Sequence, residues 1–92
     1  MALAGDTVRL KCHFRTFEGQ LVDPVNVKLT IYDANKQQIE QITLTDTNKD
    51  NGVYFYDYVL PDDKQEIIFE FRGLYNNEKP ILSRGKVKIQ FN

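Results

Sequence analysis

Hydrophobic and polar residues alternate with a period of two from the start of the chain. In the first segment Val8, Leu10, Cys12 and Phe14 are apolar, and charged or polar residues stand between them. Successive side chains of a β-strand point to opposite faces, so this spacing is typical of a strand with one face in a core and one in water. We predict six main strands, with room for a short seventh. They cover residues 7–15, 26–33, 38–45, 52–60, 65–73 and 80–91.

Three local features modify this pattern. The step from Ile39 to Ile42 breaks the alternation, which predicts a β-bulge that adds one residue to the third strand. A helix is the alternative, but the short run and its β-branched residues favour a strand. Gly85 lies inside the last strand and predicts a bend or bulge. Residues 33–36, Asp-Ala-Asn-Lys, predict a hairpin turn.

The strand at residues 52–60 is the most aromatic. Tyr54, Tyr56 and Tyr58 share one face, and Asp57 lies on the other. We therefore expect the tyrosine face to point into the core of the protein. Because both faces of this strand are strongly apolar, we also expect it to be a central strand of its sheet. The alternative is an exposed aromatic platform that binds sugars.

No segment shows the three- and four-residue spacing of an amphipathic helix. Short strands separated by turn residues predict an all-β antiparallel sandwich, with residues 1–92 as a single domain. Cys12 is the one cysteine, so no internal disulfide can form, which favours a reducing compartment. No signal peptide and no apolar run of about 20 residues are recognisable, so we expect synthesis in the cytoplasm and assembly there or into a virion.

Few residues could carry chemistry. Cys12 and His13 are neighbours in a strand and point to opposite faces, which excludes a dyad between them. We expect Cys12 in the core and His13 on the surface. A zinc site is implausible, because the one histidine and the one cysteine face apart. We therefore expect a protein without enzymatic activity or cofactor. The net charge of −1 indicates no attraction to nucleic acid or to membranes.

The loop after the third strand has the spacing of a calcium-binding loop. Asp46, Asn48 and Asp50 occupy its first, third and fifth positions, and Asp57 occupies the twelfth. Against calcium, Asn51 replaces the usual glycine, the twelfth residue is not Glu, and the flanking segments are strands. The alternative, which we favour, is a polar loop whose Asp, Asn and Gly residues suit turn geometry.

Basic residues concentrate on the first and last strands, where residues 7–17 and 80–92 contain no acid. The terminal strands of such sandwiches often lie close together, which would bring these residues into one positive stripe. Its functional interpretation is docking onto an acidic protein lattice or onto packaged nucleic acid. The alternative, which we favour, is a solvated face that protects exposed strand edges. The stripe lacks the interleaved aromatic residues that would stack on bases, which argues against nucleic acid. The residues of this predicted partner-binding stripe are Arg9, Lys11, Arg15, Arg84, Lys86 and Lys88.

Several segments together resemble immunoglobulin-like sandwiches of the disulfide-free bacterial and phage kind. They are residues 5–10, 22–27, 29–33, 52–54, 58–61 and 69–73. Similar strings occur in modules of bacterial surface proteins and macroglobulins, and the chain is most similar to small stand-alone proteins from tailed-phage and prophage structural gene clusters. The resemblance covers nearly the whole chain, although its motifs encode strands and turns rather than chemistry.

This resemblance implies an immunoglobulin-like antiparallel β-sandwich of six to seven strands. It also implies a non-enzymatic structural module, a phage or prophage head or tail protein that docks onto a lattice of other virion proteins. The alternative is an extracellular immunoglobulin-like adhesion or carbohydrate-binding module. No residue pattern specifies the oligomeric state.

Overall fold

The computed structural model describes residues 2–15, 19, 24–50, 52–75 and 79–90, with only the backbone described for residues 2 and 46. This part of the chain forms strands and a single 3₁₀ turn, Asp46–Asn48. The strands are β1 (Ala2–Leu3), β2 (Thr7–Cys12), β3 (Val25–Asp33), β4 (Gln38–Thr43), β5 (Lys49–Asp50), β6 (Val53–Val59), β7 (Glu66–Tyr75) and β8 (Lys79–Gln90). The described residues contain no helix with the length and hydrophobicity that a bilayer crossing requires.

The strands form two sheets. The larger sheet has the order β1-β8-β7-β3-β4, and the smaller has the order β2-β6-β5. Every pairing is antiparallel except that of the two-residue β1 with β8. Four long antiparallel strands therefore face three antiparallel strands, and the predicted all-β sandwich is confirmed.

The strand order is that of immunoglobulin-like sandwiches. There, strands B, E and D form one sheet, and C, F and G form the other, which C′ can extend. In this protein the first sheet is formed by β2, β6 and β5, which correspond to B, E and D. The second sheet contains β3, β7 and β8, which correspond to C, F and G, and β4 extends it as C′ does. All six predicted main strands are present, and the two-residue β1 and β5 are additional.

The core lies between the two sheets and takes side chains from both. Its largest fully buried members are Phe14, Leu29, Ile31, Leu60, Ile67 and Phe71. The inward tyrosine face of β6 is confirmed, since Tyr54 and Tyr58 are each only 8% exposed. The Tyr54 ring meets the Phe14 ring edge-on, with centroids 5.6 Å apart, and its hydroxyl donates to the Pro24 carbonyl at 3.2 Å. The hydroxyl therefore keeps a hydrogen bond while the ring fills the core.

The predicted turn between β3 and β4 is confirmed, and the side chain of Asp33 organises it. One carboxylate oxygen of Asp33 accepts hydrogen bonds from the backbone N–H groups of Asn35 at 2.9 Å and Gln37 at 3.0 Å. Lys36 takes the positive φ of 66° that closes the turn. Local capping by an aspartate is the reason this residue type favours turns.

The predicted bulge in β4 is also confirmed. Ile31 pairs with Glu40, whereas the next residue, Tyr32, pairs with Gln38, so Ile39 is the extra residue on β4. The bulge leaves Ile39 40% exposed at the sheet edge instead of returning it to the core. An irregular edge of this kind is a poor template for pairing with another chain.

The prediction of a bulge at Gly85 is wrong. The β7–β8 pairing runs without a register shift through Phe69 opposite Gly85. A Cβ atom on Gly85 would lie only 2.5 Å from Cζ of Phe69, because the Phe69 ring covers the glycine. The glycine therefore provides space for a cross-strand aromatic ring, as in the known pairing of aromatic residues with strand glycines.

Candidate functional site

The single basic stripe predicted from the sequence does not form. Arg9 and Lys11 lie on β2, which pairs with β6 in the smaller sheet, and their side chains point away from the core. Arg15 lies beyond the end of β2, where its guanidinium donates to the Gly19 carbonyl at 3.2 Å. The remaining three belong to β8 of the larger sheet, whose outer face points the opposite way. They are Arg84, Lys86 and Lys88.

The outer face of the smaller sheet has balanced charge. The Arg9 guanidinium makes two hydrogen bonds to the Asp57 carboxylate, at 2.8 and 3.1 Å, and lies 4.3 Å from the centroid of the Phe55 ring. Hydrogen bonding to Arg9 lowers the pKa of Asp57, and the same bond raises the pKa of Arg9. Both side chains are 50% exposed, so water and salt screen the pair and its contribution to stability is small.

Two residues of the predicted calcium loop have other side-chain partners. Asn48 accepts a hydrogen bond from the Thr45 N–H at 3.2 Å through its side-chain oxygen, and Asp57 is bound by Arg9. The backbone of Asp50 pairs with Val53 at the beginning of β6. Within the described ranges no three His, Cys, Asp or Glu residues form a group that could hold a metal ion. The Asp46 side chain and Asn51 lie outside the described residues.

Cys12 and His13 separate as their alternation predicts. Cys12 is 4% exposed and faces the core, whereas His13 is exposed. Burial raises the pKa of the Cys12 thiol, and a hydrogen bond with Ser83 acts in the opposite direction. A buried thiol with a raised pKa is a poor nucleophile, because the thiolate is the reactive form.

The outer face of the larger sheet carries an excess of positive charge. We call this surface the cationic face, and it is formed by the outward residues of β3, β4, β7 and β8. The strand registers place five basic residues and two acidic ones on it, Glu66 and Glu70, in a chain whose net charge is −1. The basic residues of the cationic face are Lys28, Arg72, Arg84, Lys86 and Lys88.

The middle of the cationic face is a row of four residues, one from each strand, joined in two hydrogen-bonded pairs; we call it the hydrogen-bonded row. Gln41, Thr30, Glu70 and Arg84 lie opposite one another in that order. The Gln41 amide donates to the Thr30 hydroxyl at 3.2 Å, and the Arg84 Nε donates to Glu70 at 2.5 Å. Thr30 is 4% and Glu70 9% exposed, although both point away from the core. The two central residues of the row are therefore shielded from water, whereas Gln41 and Arg84 at its ends are exposed. The bond to Glu70 raises the pKa of Arg84.

The next row places two positive charges side by side. Lys28 lies directly opposite Arg72, with Thr43 beyond Lys28 and Leu82 beyond Arg72. Directly opposed residues of antiparallel strands have Cβ atoms about 4.5–5.5 Å apart, and like charges at that separation repel. Both side chains are exposed, and neither makes a hydrogen bond or ion pair in the described part of the chain.

A backbone irregularity adjoins this row. Between the Val25–Leu74 and Lys28–Arg72 pairs, β3 advances three residues while β7 advances two, which is a bulge on β3. Asn26 inside it has a φ of 55°, in the left-handed region that few residues other than glycine and asparagine adopt. Such bulges frequently lie beside binding sites, where they redirect side chains.

A shallow groove connects these features. It crosses the sheet and is lined by the Lys28–Arg72 pair, by Asn26 and Tyr32, and by members of the hydrogen-bonded row that include Glu70. Thr43 also lines it. Sequence reasoning missed this site because Lys28 and Arg72 are isolated in the sequence and become neighbours only through the β3–β7 register. The one local signal is Asn26, a residue type that tolerates positive φ, placed just before the β3 alternation.

Comparisons of the chain with models of known protein families, with curated proteins and with solved structures give no match in any of the three. A function for this chain therefore rests on the geometry and charge of its two outer sheet faces. The resemblance of its strand segments to phage and bacterial sandwiches remains an expectation from the sequence.

Proposed function

We propose that this protein is a non-enzymatic interaction module that docks an outer sheet face onto a protein partner. The observation that carries the proposal is the cationic face, where five basic residues meet two acidic ones in a chain that is slightly acidic as a whole. A concentration of one sign of charge on one face favours a partner of complementary charge, because it steers the encounter and fixes orientation.

The size of the surface is adequate for such a role. A specific interface buries at least about 1,000 Å² in total, so about 500 Å² from each partner. The accessible surface of this chain is 6324 Å², so an interface of about 500 Å² would cover less than a tenth of it. One face of a four-stranded antiparallel sheet is enough to supply it.

The partner that we favour is a protein of a phage or prophage virion. The support is the resemblance of the strand segments to small proteins of tailed-phage structural gene clusters. The competing carbohydrate-binding proposal loses its aromatic platform, because Tyr54 and Tyr58 are buried in the core.

Co-sedimentation of the purified protein with assembled phage heads and with tails tests the proposal. We expect saturable binding to one of the two particles. The charge reversal Lys86→Glu on the cationic face should weaken it, and the matched reversal Lys11→Glu on the other sheet should leave it unchanged. Absence of binding to both particles, or equal effects of the two reversals, would contradict docking through this face. Saturable binding to bacterial polysaccharide instead would favour the carbohydrate-binding alternative.

A further inference from the structure

We propose that the Lys28–Arg72 pair is a carboxylate-binding site that receives acidic side chains of a protein partner. This inference rests on the proposed function, because it names the chemistry of the partner that the cationic face would bind. The starting point is that two exposed cations face each other across β3 and β7, and neither forms an ion pair in the described chain. The nearest acid on the cationic face, Glu70 in the next row, is bonded to Arg84 instead.

The electrostatic state of the pair favours an anion. Two like charges on directly opposed residues repel each other, and the free protein carries that cost. In the described strands, no other cation on the cationic face lies directly opposite a second cation. Arg84 is bonded to Glu70, Lys88 lies opposite Glu66, and Lys86 lies opposite an apolar residue, Ile68. An anion at the Lys28–Arg72 pair would convert its repulsion into two attractive contacts.

The shape and the donor types favour a carboxylate. The planar guanidinium of Arg72 can bind both oxygens of a carboxylate, and the Lys28 ammonium adds a compact charge. The hydroxyl of Thr43 lies opposite Lys28 and lines the same groove, so it can supply a further hydrogen bond. The bulge that contains Asn26 ends immediately before Lys28, and bulges of this kind redirect the side chains beside them.

The surroundings favour a protein over a nucleic acid. Glu66 and Glu70 interrupt the positive charge along β7, so a continuous phosphate backbone would meet both carboxylates. Tyr32 is the one aromatic side chain among the described residues that line the groove, too few to stack successive bases. An individual Asp or Glu side chain of a protein meets only one acid, Glu70, in the described part of this groove, and the charge of Glu70 is already compensated by its bond to Arg84.

The test is a nuclear magnetic resonance titration of the full chain with a short glutamate-rich peptide whose ends are blocked. The matched glutamine-rich peptide, inorganic phosphate and an oligothymidylate are the comparison ligands. We expect saturable amide shifts centred on Lys28, Thr43 and Arg72 at low salt. Lys28→Gln and Arg72→Gln should each weaken binding about tenfold, the size of one lost charge-assisted hydrogen bond. Lys11→Gln, an exposed lysine on the other sheet, is the matched control and should bind as wild type.

Thermal unfolding of the same variants at low salt shows whether they fold. Removing one member of a repelling pair should leave the midpoint unchanged or raise it. The inference is overturned if the glutamate peptide causes no saturable shift, if Lys11→Gln loses as much affinity as the other two, or if phosphate or the oligonucleotide binds more tightly. Binding to phage particles that survives Lys28→Gln and Arg72→Gln would refute this site and leave the proposed function standing. Binding of the glutamate-rich peptide without binding to phage particles would support this site and refute the proposed function.

Discussion

Replacement of Gly85 by alanine tests the packing between β7 and β8. The added Cβ atom would lie 2.5 Å from Cζ of Phe69, and 3.0 and 3.1 Å from its two Cε atoms. Favourable contacts between carbon atoms are about 3.5–4.0 Å, so the ring must move by about 1 Å or more. The ring also packs edge-on against the buried Phe71, with centroids 6.0 Å apart, and that contact is disturbed when it moves.

Two opposing effects set the size of the change. Overpacking of this kind costs about 1–3 kcal/mol, and the lower backbone entropy of alanine in the unfolded chain returns about 0.5–1 kcal/mol. The overlap is the larger effect, so Gly85→Ala should lower the free energy of unfolding by about 1–2 kcal/mol. For a domain of this size each kcal/mol corresponds to about 4–8 °C in the melting midpoint.

Urea denaturation of a double-mutant cycle with Phe69→Leu provides the assay. Leucine lacks the Cζ and Cε atoms that the new Cβ would meet, so Gly85→Ala should cost less in the Phe69→Leu background, with a coupling of about 1 kcal/mol. If Gly85 were required only for its backbone freedom, alanine would cost the same in both backgrounds. Equal costs, or a Gly85→Ala variant as stable as wild type, would refute the packing explanation.

Three further predictions concern other positions. Arg9 lowers the pKa of Asp57 in the folded protein, so as the pH falls Asp57 is protonated in the unfolded chain before it is protonated in the folded one. The free energy of unfolding should therefore decrease as the pH drops below about 4, and it should decrease less in Asp57→Asn. Unfolding measured from about pH 3 to about pH 6 tests this. An unchanged pH dependence in Asp57→Asn would contradict this. Burial of Cys12 predicts that a thiol reagent labels it only as fast as the protein opens, and rapid labelling of the native protein would be evidence against it. Gly73→Ala should lose about 1–3 kcal/mol of stability in urea, because its Cβ would lie 2.7 Å from Cβ of Pro24; a wild-type midpoint would be inconsistent with that contact.

The sequence predicted the strands well because each one has its own alternation, which is a local property. The bulge at Ile39 was readable for the same reason, since it is a break in a local pattern. Gly85 was misread because a glycine inside a strand has two meanings, a bulge or space for a neighbouring ring. The difference depends on Phe69, sixteen positions away in the sequence, and on the register that brings the two together.

The candidate site could not be predicted, because charge patterns on a sheet depend on pairing. The basic residues of β2 and β8 were expected together, yet β2 pairs with β6, and Arg9 is neutralised by Asp57. Lys28 and Arg72 are separated by more than forty residues in the sequence, and only the β3–β7 register makes them neighbours. Long-range registers of this kind are not encoded in the local alternation that predicts the strands.

Cross-strand nuclear Overhauser effects in the isotopically labelled protein test the arrangement on which the cationic face depends. We expect contacts from Lys28 to both Thr43 and Arg72, from Glu70 to Arg84, and from Arg9 to Asp57. Together they place the basic residues of β2 and β8 on opposite sheets. Contacts that join β2 to β8 in one sheet, or that separate Lys28 from Arg72, would contradict this arrangement and the binding surface inferred from it.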